Sequence, residues 1–386
     1  MKAISIALVS VLFIFGCSLG TNAQSSQSAD FALPALSLGY AVNPNFTVGQ
    51  SIIAQKPKLS GAMQGVHYAF TLVSGKLPQG LVLGADGTVS GTPVASGSFS
   101  YSIQASYGSR SATAKITATV FSASSPIALK SDFVPFAMCM NWDGRDGRPT
   151  WYVEPDDQIK MIEAAGYTGM GLGGLADLEK FADNADVQSG KFRVYSALWW
   201  ANTKAAVDVK WLDSLLVQAK RMNMAMWVVA DGTHDAAGKA DALSFYRTVA
   251  SECKKYGVLL VLYPHAGTAM VSAEEALDFY NEMKADYPDI RISIHLCHEL
   301  AAGNGKRLAE VIAKTASLTV LATVNGTTGG DIIPLDLGSY DVRPFLQAFA
   351  DNGYTGPMEL HTYSFPDPRS DDALARSLVR YKQIVK

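Results

Sequence analysis

Charge and cysteine are both scarce in this chain. Only 17% of its 386 residues are charged, and the formal net charge is −3. There is no basic excess to displace counterions from a phosphate backbone, which argues against nucleic acid as a partner. The four cysteines, Cys17, Cys139, Cys253 and Cys297, stand far apart. They form neither a CxxC metal pair nor a disulfide framework, so the last three read as free core thiols, with Cys297 set apart by its histidine neighbours. Apolar runs long enough to span a bilayer are absent, since the longest candidate, 4–15, is too short. A glycine-rich phosphate turn is missing as well. The first strand of the larger domain leads into Asn141-Trp142-Asp143-Gly144 with no GxGxxG, which disfavours a doubly wound dinucleotide-binding sheet.

What is present begins with an export signal over 1–23. Lys2 supplies the positive start and 4–15 the apolar centre. Thr21-Asn22-Ala23 offers a small-residue cleavage site before Gln24. Ile14-Phe15-Gly16-Cys17 offers a second exit, because it resembles a bacterial lipobox that would place a lipid on Cys17. The expected location is therefore outside the bacterial cytoplasm, either free in the periplasm or as an outer-membrane or cell-surface lipoprotein. Membrane contact is expected only through such an anchor.

Residues 31–121 carry a β pattern. Alternating runs such as HYAFTLV, SFSYSIQAS and TAKITATVF are separated by Gly, Ser, Pro and Asp clusters. Leu77-Pro78-Gln79-Gly80-Leu81 is followed by Asp86-Gly87-Thr88-Val89-Ser90-Gly91-Thr92-Pro93. Asp86-Gly87 reads as a hairpin turn, with Gly91 and Pro93 ending the returning strand. These two motifs resemble the Ig-like domains of bacterial surface and haemolysin-type proteins, which implies a small β-sandwich. Tyr68 with Phe70, and Phe99 with Tyr101, sit two residues apart and so share faces as core residues. Two roles are expected for such a domain: a spacer, or a module that contacts a partner or glycan. Ser124, Ser125 and Pro126 mark a linker.

From 127 to 386 the pattern alternates between strand and helix. Apolar runs at 134–140, 167–172, 192–198, 224–230, 258–263, 291–296, 318–324 and 357–361 are separated mostly by amphipathic segments such as VKWLDSLLVQAKRMN and GKRLAEVIAKTA. Eight such units predict a (β/α)8 TIM barrel, with the helix after the second strand the least marked.

Chemistry in that fold gathers at the C-terminal strand ends. Four of the six histidines fall there. The fifth strand ends at Tyr263-Pro264-His265, where Tyr263 and His265 share a face if the strand continues. The sixth ends at His295-Leu296-Cys297-His298-Glu299. His298 opposes His295 in that segment unless the strand has ended. The seventh ends at Asn325, placed to bond a sugar or to cap its own loop. The eighth carries Glu359 and His361 on one face. Asp231 at the fourth end, Trp142 at the first and Trp200 at the third complete the set, with the aromatics suited to stacking on sugar C–H groups.

The order LYPHAG, LCH, TVNG and GYTGPMELH is similar to the xylose isomerase-like TIM barrels, the sugar phosphate isomerase/epimerase family, over about 130–386. The resemblance implies a divalent metal held by Glu, Asp, His and Glu from the last four strands, with the glutamates passing the proton. Here Tyr263, His295, Asn325 and His361 stand at those places, so the carboxylate set is absent. The chain is therefore expected to hold Zn²⁺, Fe²⁺ or Co²⁺, with Mn²⁺ less suited, or no metal, through His265, His295, His298 and His361. His265, His298, Tyr263 and Glu359 are the expected catalytic groups, Glu359 orienting an imidazole. Asn325, Trp142, Asp231 and Trp200 are expected to bind a small saccharide. The activity expected is isomerase/epimerase-like, by proton abstraction next to a carbonyl. The alternatives are a lyase or hydratase on keto-glycosides and a non-catalytic saccharide-binding barrel.

Overall fold

The computed structural model describes residues 34–141 and 153–386. The leader, Cys17, Trp142 and Asp143 lie outside the described residues. Residues 36–386 form one compact unit.

The first part is all β. Its strands are β1 (Ser37–Gly39), β2 (Asn45–Thr47), β3 (Lys58–Ser60), β4 (Ala69–Gly75), β5 (Leu81–Leu83), β6 (Val89–Gly91), β7 (Gly97–Tyr107) and β8 (Arg110–Phe121). A four-stranded sheet in the order β2-β8-β7-β4 faces the small β1-β3 and β5-β6 pairs. Phe46, Leu81, Val89, Tyr101, Ile103, Ile116 and Val120 fill the core between them. The predicted hairpin is present. Asp86 accepts from the Thr88 amide and hydroxyl, and Gly87 sits at φ +83, where a Cβ would come within 2.6 Å of the Phe70 ring. Gly91 (φ +123) is equally constrained, since its Cβ would meet the Gly80 carbonyl oxygen at 2.3 Å. Gly80 (φ +94) is held reciprocally, since a Cβ there would meet the Thr92 carbonyl oxygen at 2.1 Å, so each of the two motifs needs glycine at its own close backbone contact. Tyr68 and Tyr101 are buried, with Phe70 and Phe99 packed on the core.

The second part is a closed parallel barrel of β9 (Phe133–Phe136), β10 (Gly169–Leu172), β11 (Arg193–Asn202), β12 (Ala225–Asp231), β13 (Leu260–Leu262), β14 (Arg291–His295), β15 (Thr319–Val324) and β16 (Met358–His361). The (β/α)8 expectation and its strand order hold. Outward strand residues such as Met170, Leu172, Met226 and Ile294 pack under the helix ring. Inward ones such as Phe136, Leu198, Trp227, Val229, Val261 and Leu321 fill the barrel.

Two local expectations change. The run 134–140 is not a single strand: β9 ends at Phe136 and Met138–Asn141 is helical. The segment after β10 forms two short helices, Leu178–Asp183 and Ala185–Gln188. The Ser124-Ser125 linker is also tied down, because Arg343 donates to the Ser122 carbonyl (2.5 Å) and the Ser124 hydroxyl (2.9 Å).

Candidate active site

Parallel pairing brings inward side chains of neighbouring strands level with one another. His295 is in register with Thr323, and Thr323 with Glu359. Above this row the mouth opens into a cavity of about 630 Å³. Trp200, Asp231, Tyr263, His265, His298 and His361 line it together with Met138, Leu198 and Tyr363. Six of the residues singled out from sequence are thus brought to one place. His295, Asn325 and Glu359 are buried and outside that lining, and Trp142 is outside the described residues. His234 is not part of the mouth; it pairs with Glu275 on the surface at 2.7 Å.

Local geometry decides how the histidines meet. β14 stops at His295 and the chain turns at once into the helix Leu296–Ala301. The turn cancels strand parity, so His298 swings back towards His295, with ring centroids 4.4 Å apart. β13 stops at Leu262, one residue short of Tyr263, yet Tyr263 and His265 both turn into the mouth. The His265 and His298 rings are 3.8 Å apart, and His295 and His361 meet edge-on at 4.4 Å. Trp227 and Tyr263 stack at 4.1 Å, and Tyr263 lies parallel to His295 at 5.5 Å.

Hydrogen bonds assign the tautomers. His265 Nδ1 lies 2.8 Å from the Ala266 carbonyl oxygen, which can only accept. Nδ1 therefore carries the proton and Nε2 keeps its lone pair. The Ala266 amide donates to His298 Nδ1 at 3.5 Å, so His298 Nε2 bears hydrogen towards the Tyr263 hydroxyl at 3.3 Å. Burial pushes His265 down to about 4 and His361 down to about 3. His295 and His298 fall well below the usual range, first through burial and then through neighbouring imidazoles, His298, His361 and His265 for His295 and His265 and His361 for His298. All four imidazoles are neutral at pH 7. Burial raises the Tyr263 phenol well above its ordinary value.

Glu359 does not orient an imidazole, contrary to expectation. Its Oε1 accepts from Ser196 Oγ at 2.9 Å, deep in the barrel. Burial pushes its carboxyl up to about 8, partly offset by that hydrogen bond, so it is a neutral acid at pH 7. Asn325 acts as a loop clasp, its Nδ2 donating to the carbonyls of Gly326 and Asp331. Sequence reasoning passed over Ser196. The signal was available, since Ser196 shares strand parity with Leu198 and Trp200 on β11. Ile332, which also lines the cavity, comes from a loop that folds back, and no strand-end rule points to it.

The donors present bear on the metal question. His295 Nε2 and His361 Nδ1 are buried without a hydrogen-bond partner. Ligand atoms of His295, Cys297 and His298 lie within 4.8 Å of one another. Neutral nitrogen donors of this kind fit a borderline ion such as Zn²⁺, Fe²⁺ or Co²⁺. They lack the carboxylate set a hard ion prefers, since Glu359 gives its Oε1 to Ser196 and has only Oε2 unpartnered.

The sequence matches two family models. Residues 35–121 match the family described as Putative Ig domain. Residues 151–381, more than half of the chain, match the Xylose isomerase-like TIM barrel. The protein belongs to the xylose isomerase-like TIM barrel family. Comparison with the curated proteins gives no match. Among solved structures it is similar to the probable 3-DHS dehydratase AsbF involved in petrobactin synthesis from Bacillus anthracis, with 10% identity over 64% of this chain and 98% of that one, TM-score 0.52. A D-allulose 3-epimerase from Methylomonas sp. aligns at 17% identity over 68% and 100%, TM-score 0.51. A xylose isomerase domain containing protein from Salmonella typhimurium LT2 aligns at 12% over 68% and 99%, TM-score 0.51. At these identities the likeness establishes the fold.

Proposed function

We propose that this is an exported sugar isomerase/epimerase-like enzyme acting on an uncharged saccharide by proton abstraction next to a carbonyl. The observation that carries the reading is the neutral His265–His298–Tyr263 set in the cavity, in which one imidazole keeps a free Nε2 and its neighbour points N–H at a phenol. Family membership and the sugar epimerase among its structural neighbours support it.

His265 Nε2 takes the proton from the carbon next to the carbonyl. The C–H electron pair moves into the carbonyl, leaving an enolate oxygen that accepts a hydrogen bond from Tyr263. Burial keeps His265 unprotonated at rest, and the negative charge growing on the enolate favours its protonated form at the moment of transfer. The proton then returns to carbon. His361 lines the same cavity and keeps Nδ1 unpartnered, which makes it the second base of the proposed reaction. A lyase or hydratase outcome shares the first step and differs only in the loss of a group from the next carbon. When bound, a borderline metal would polarise the carbonyl; His295 and Cys297 would hold it, with His298 joining them only by giving up its hydrogen bond to Tyr263 or Ala266. Trp200 and Tyr363 offer ring faces for sugar C–H groups. Among the described lining residues none is Lys or Arg, which favours an uncharged sugar over a sugar phosphate.

The test is solvent exchange. The protein is incubated with ketoses and keto-glycosides in D₂O, and deuterium is read by NMR at the carbon next to the carbonyl. Exchange should fall about 10²–10⁴-fold in His265→Gln. A sugar that binds tightly and never exchanges would sink the enzymatic reading and leave a saccharide-binding barrel.

A further inference from the structure

Eighteen residues, 325–342, join β15 to the helix Arg343–Asp351. A connection of this length ordinarily wanders. This one is clasped at two ends. At the inner end, Gly326 and Ile333 exchange backbone hydrogen bonds at 2.9 and 3.1 Å, and Asn325 and Thr327 hold the Asp331 turn. Ile332, between those contacts, lines the cavity.

The outer end is held by the Ig-like domain. Asn45 Nδ2 donates to the carbonyls of Leu335 (3.1 Å) and Leu337 (2.7 Å), and the Asn45 amide donates to Asp336. Pro44 bridges Leu337, and Gly338 donates to the Asn43 carbonyl. The loop thus adds a short strand to the free edge of β2. Behind it, in the last helix (Ala373–Ile384), Arg376 pairs with Asp336 at 3.0 Å. Arg380 donates to Asn45 Oδ1 (2.9 Å) and Thr47 Oγ1 (3.1 Å). Asn45, Thr47, Asp336 and Arg380 are all buried. A buried guanidinium whose partners come from another domain is not the mark of a detachable spacer. From Asp336 to Ile332 is four residues, a reach of at most about 14 Å.

We propose that the Ig-like domain buttresses one wall of the active site from behind, and that Asn45 and Arg380 are positioning residues for the loop that carries Ile332. The proposal takes the cavity as the active site and so rests on the functional reading above, but it is tested here without a sugar.

In the full chain, Asn45→Ala should speed hydrogen exchange at the Gly326 and Ile333 amides about tenfold or more, while barrel-strand amides such as Val228 keep their rates. The imidazole resonances of the cavity histidines should shift as well, which loss of general stability alone would not produce. Val82→Ser, on the exposed face of the Ig-like domain, should change neither. Should Asn45→Ala fail to fold, Thr47→Val removes one hydrogen bond to Arg380 and should show the same changes in smaller measure. Unchanged exchange at Gly326 and Ile333 in a folded variant overturns the proposal, as does faster exchange with unmoved histidine resonances. Failure to find any sugar that exchanges deuterium would defeat the functional reading and leave these two readouts to decide the coupling.

Discussion

Ser196 and Glu359 meet inside the barrel, the serine hydroxyl donating to the carboxyl at 2.9 Å. Burial raises this carboxyl from 4.5 to about 8. The folded protein therefore holds a proton that the unfolded chain releases between those values, and the contribution of this carboxyl to stability falls as pH rises across that window, opposite in sign to the rise that the four neutral histidines give below pH 6.5. One proton corresponds to a slope of up to about 1.4 kcal/mol per pH unit. Glu359→Gln keeps the shape and the hydrogen bond to Ser196, so it should lose this slope. Urea unfolding of both proteins across the window checks it, and parallel curves would count against a neutral Glu359.

Gly171 on β10 leaves room for that pair. A Cβ there would lie 2.7 Å from both Glu359 Oε1 and Ser196 Oγ. Its neighbours are buried and cannot retreat cheaply, so Gly171→Ala should cost about 1–3 kcal/mol of stability. Gly190→Ala, where nothing lies within 4 Å of the added carbon, is a comparison with strain (φ +76) but no clash. Denaturant midpoints of the two variants separate overpacking from backbone strain.

Neutral histidines with unpartnered nitrogens predict selectivity among ions. Equilibrium dialysis should load Zn²⁺ or Co²⁺ near one per chain and leave Mg²⁺ unbound. His295→Ala, which removes the unpartnered Nε2, should abolish loading. A stoichiometric Mg²⁺ site, or Zn²⁺ retained in that variant, would refute the assigned donors.

The proposed export makes its own prediction. The mature chain should begin at Gln24, or at a lipid-bearing Cys17, and Cys17→Ser distinguishes the two. Loss of membrane attachment in Cys17→Ser supports the lipoprotein route. An unprocessed Met1 in the native host argues against export altogether.

The barrel was legible because its strands are buried on both faces and appear as apolar runs, and each helix shows its own period. The paired Ig-like glycines were legible because only glycine tolerates their close backbone contacts. The location of the histidines followed from the rule that places chemistry at strand ends. Their mutual geometry did not. Strand parity put His298 away from His295, but a helix begins one residue after His295 and reverses the direction. Glu359 looked like a partner for an imidazole, yet its neighbour is Ser196, a residue 163 positions away in sequence.

By itself the sequence determined the elements, their order and the end of the barrel where polar groups collect, because periodicity and residue type act over a few positions. Tertiary structure alone decided which of those groups face one another, that Glu359 is protonated, and that the Ig-like domain clasps the 325–342 loop. Proton affinity and hydrogen-bond partnership depend on burial and on neighbours from distant strands, and local pattern carries neither.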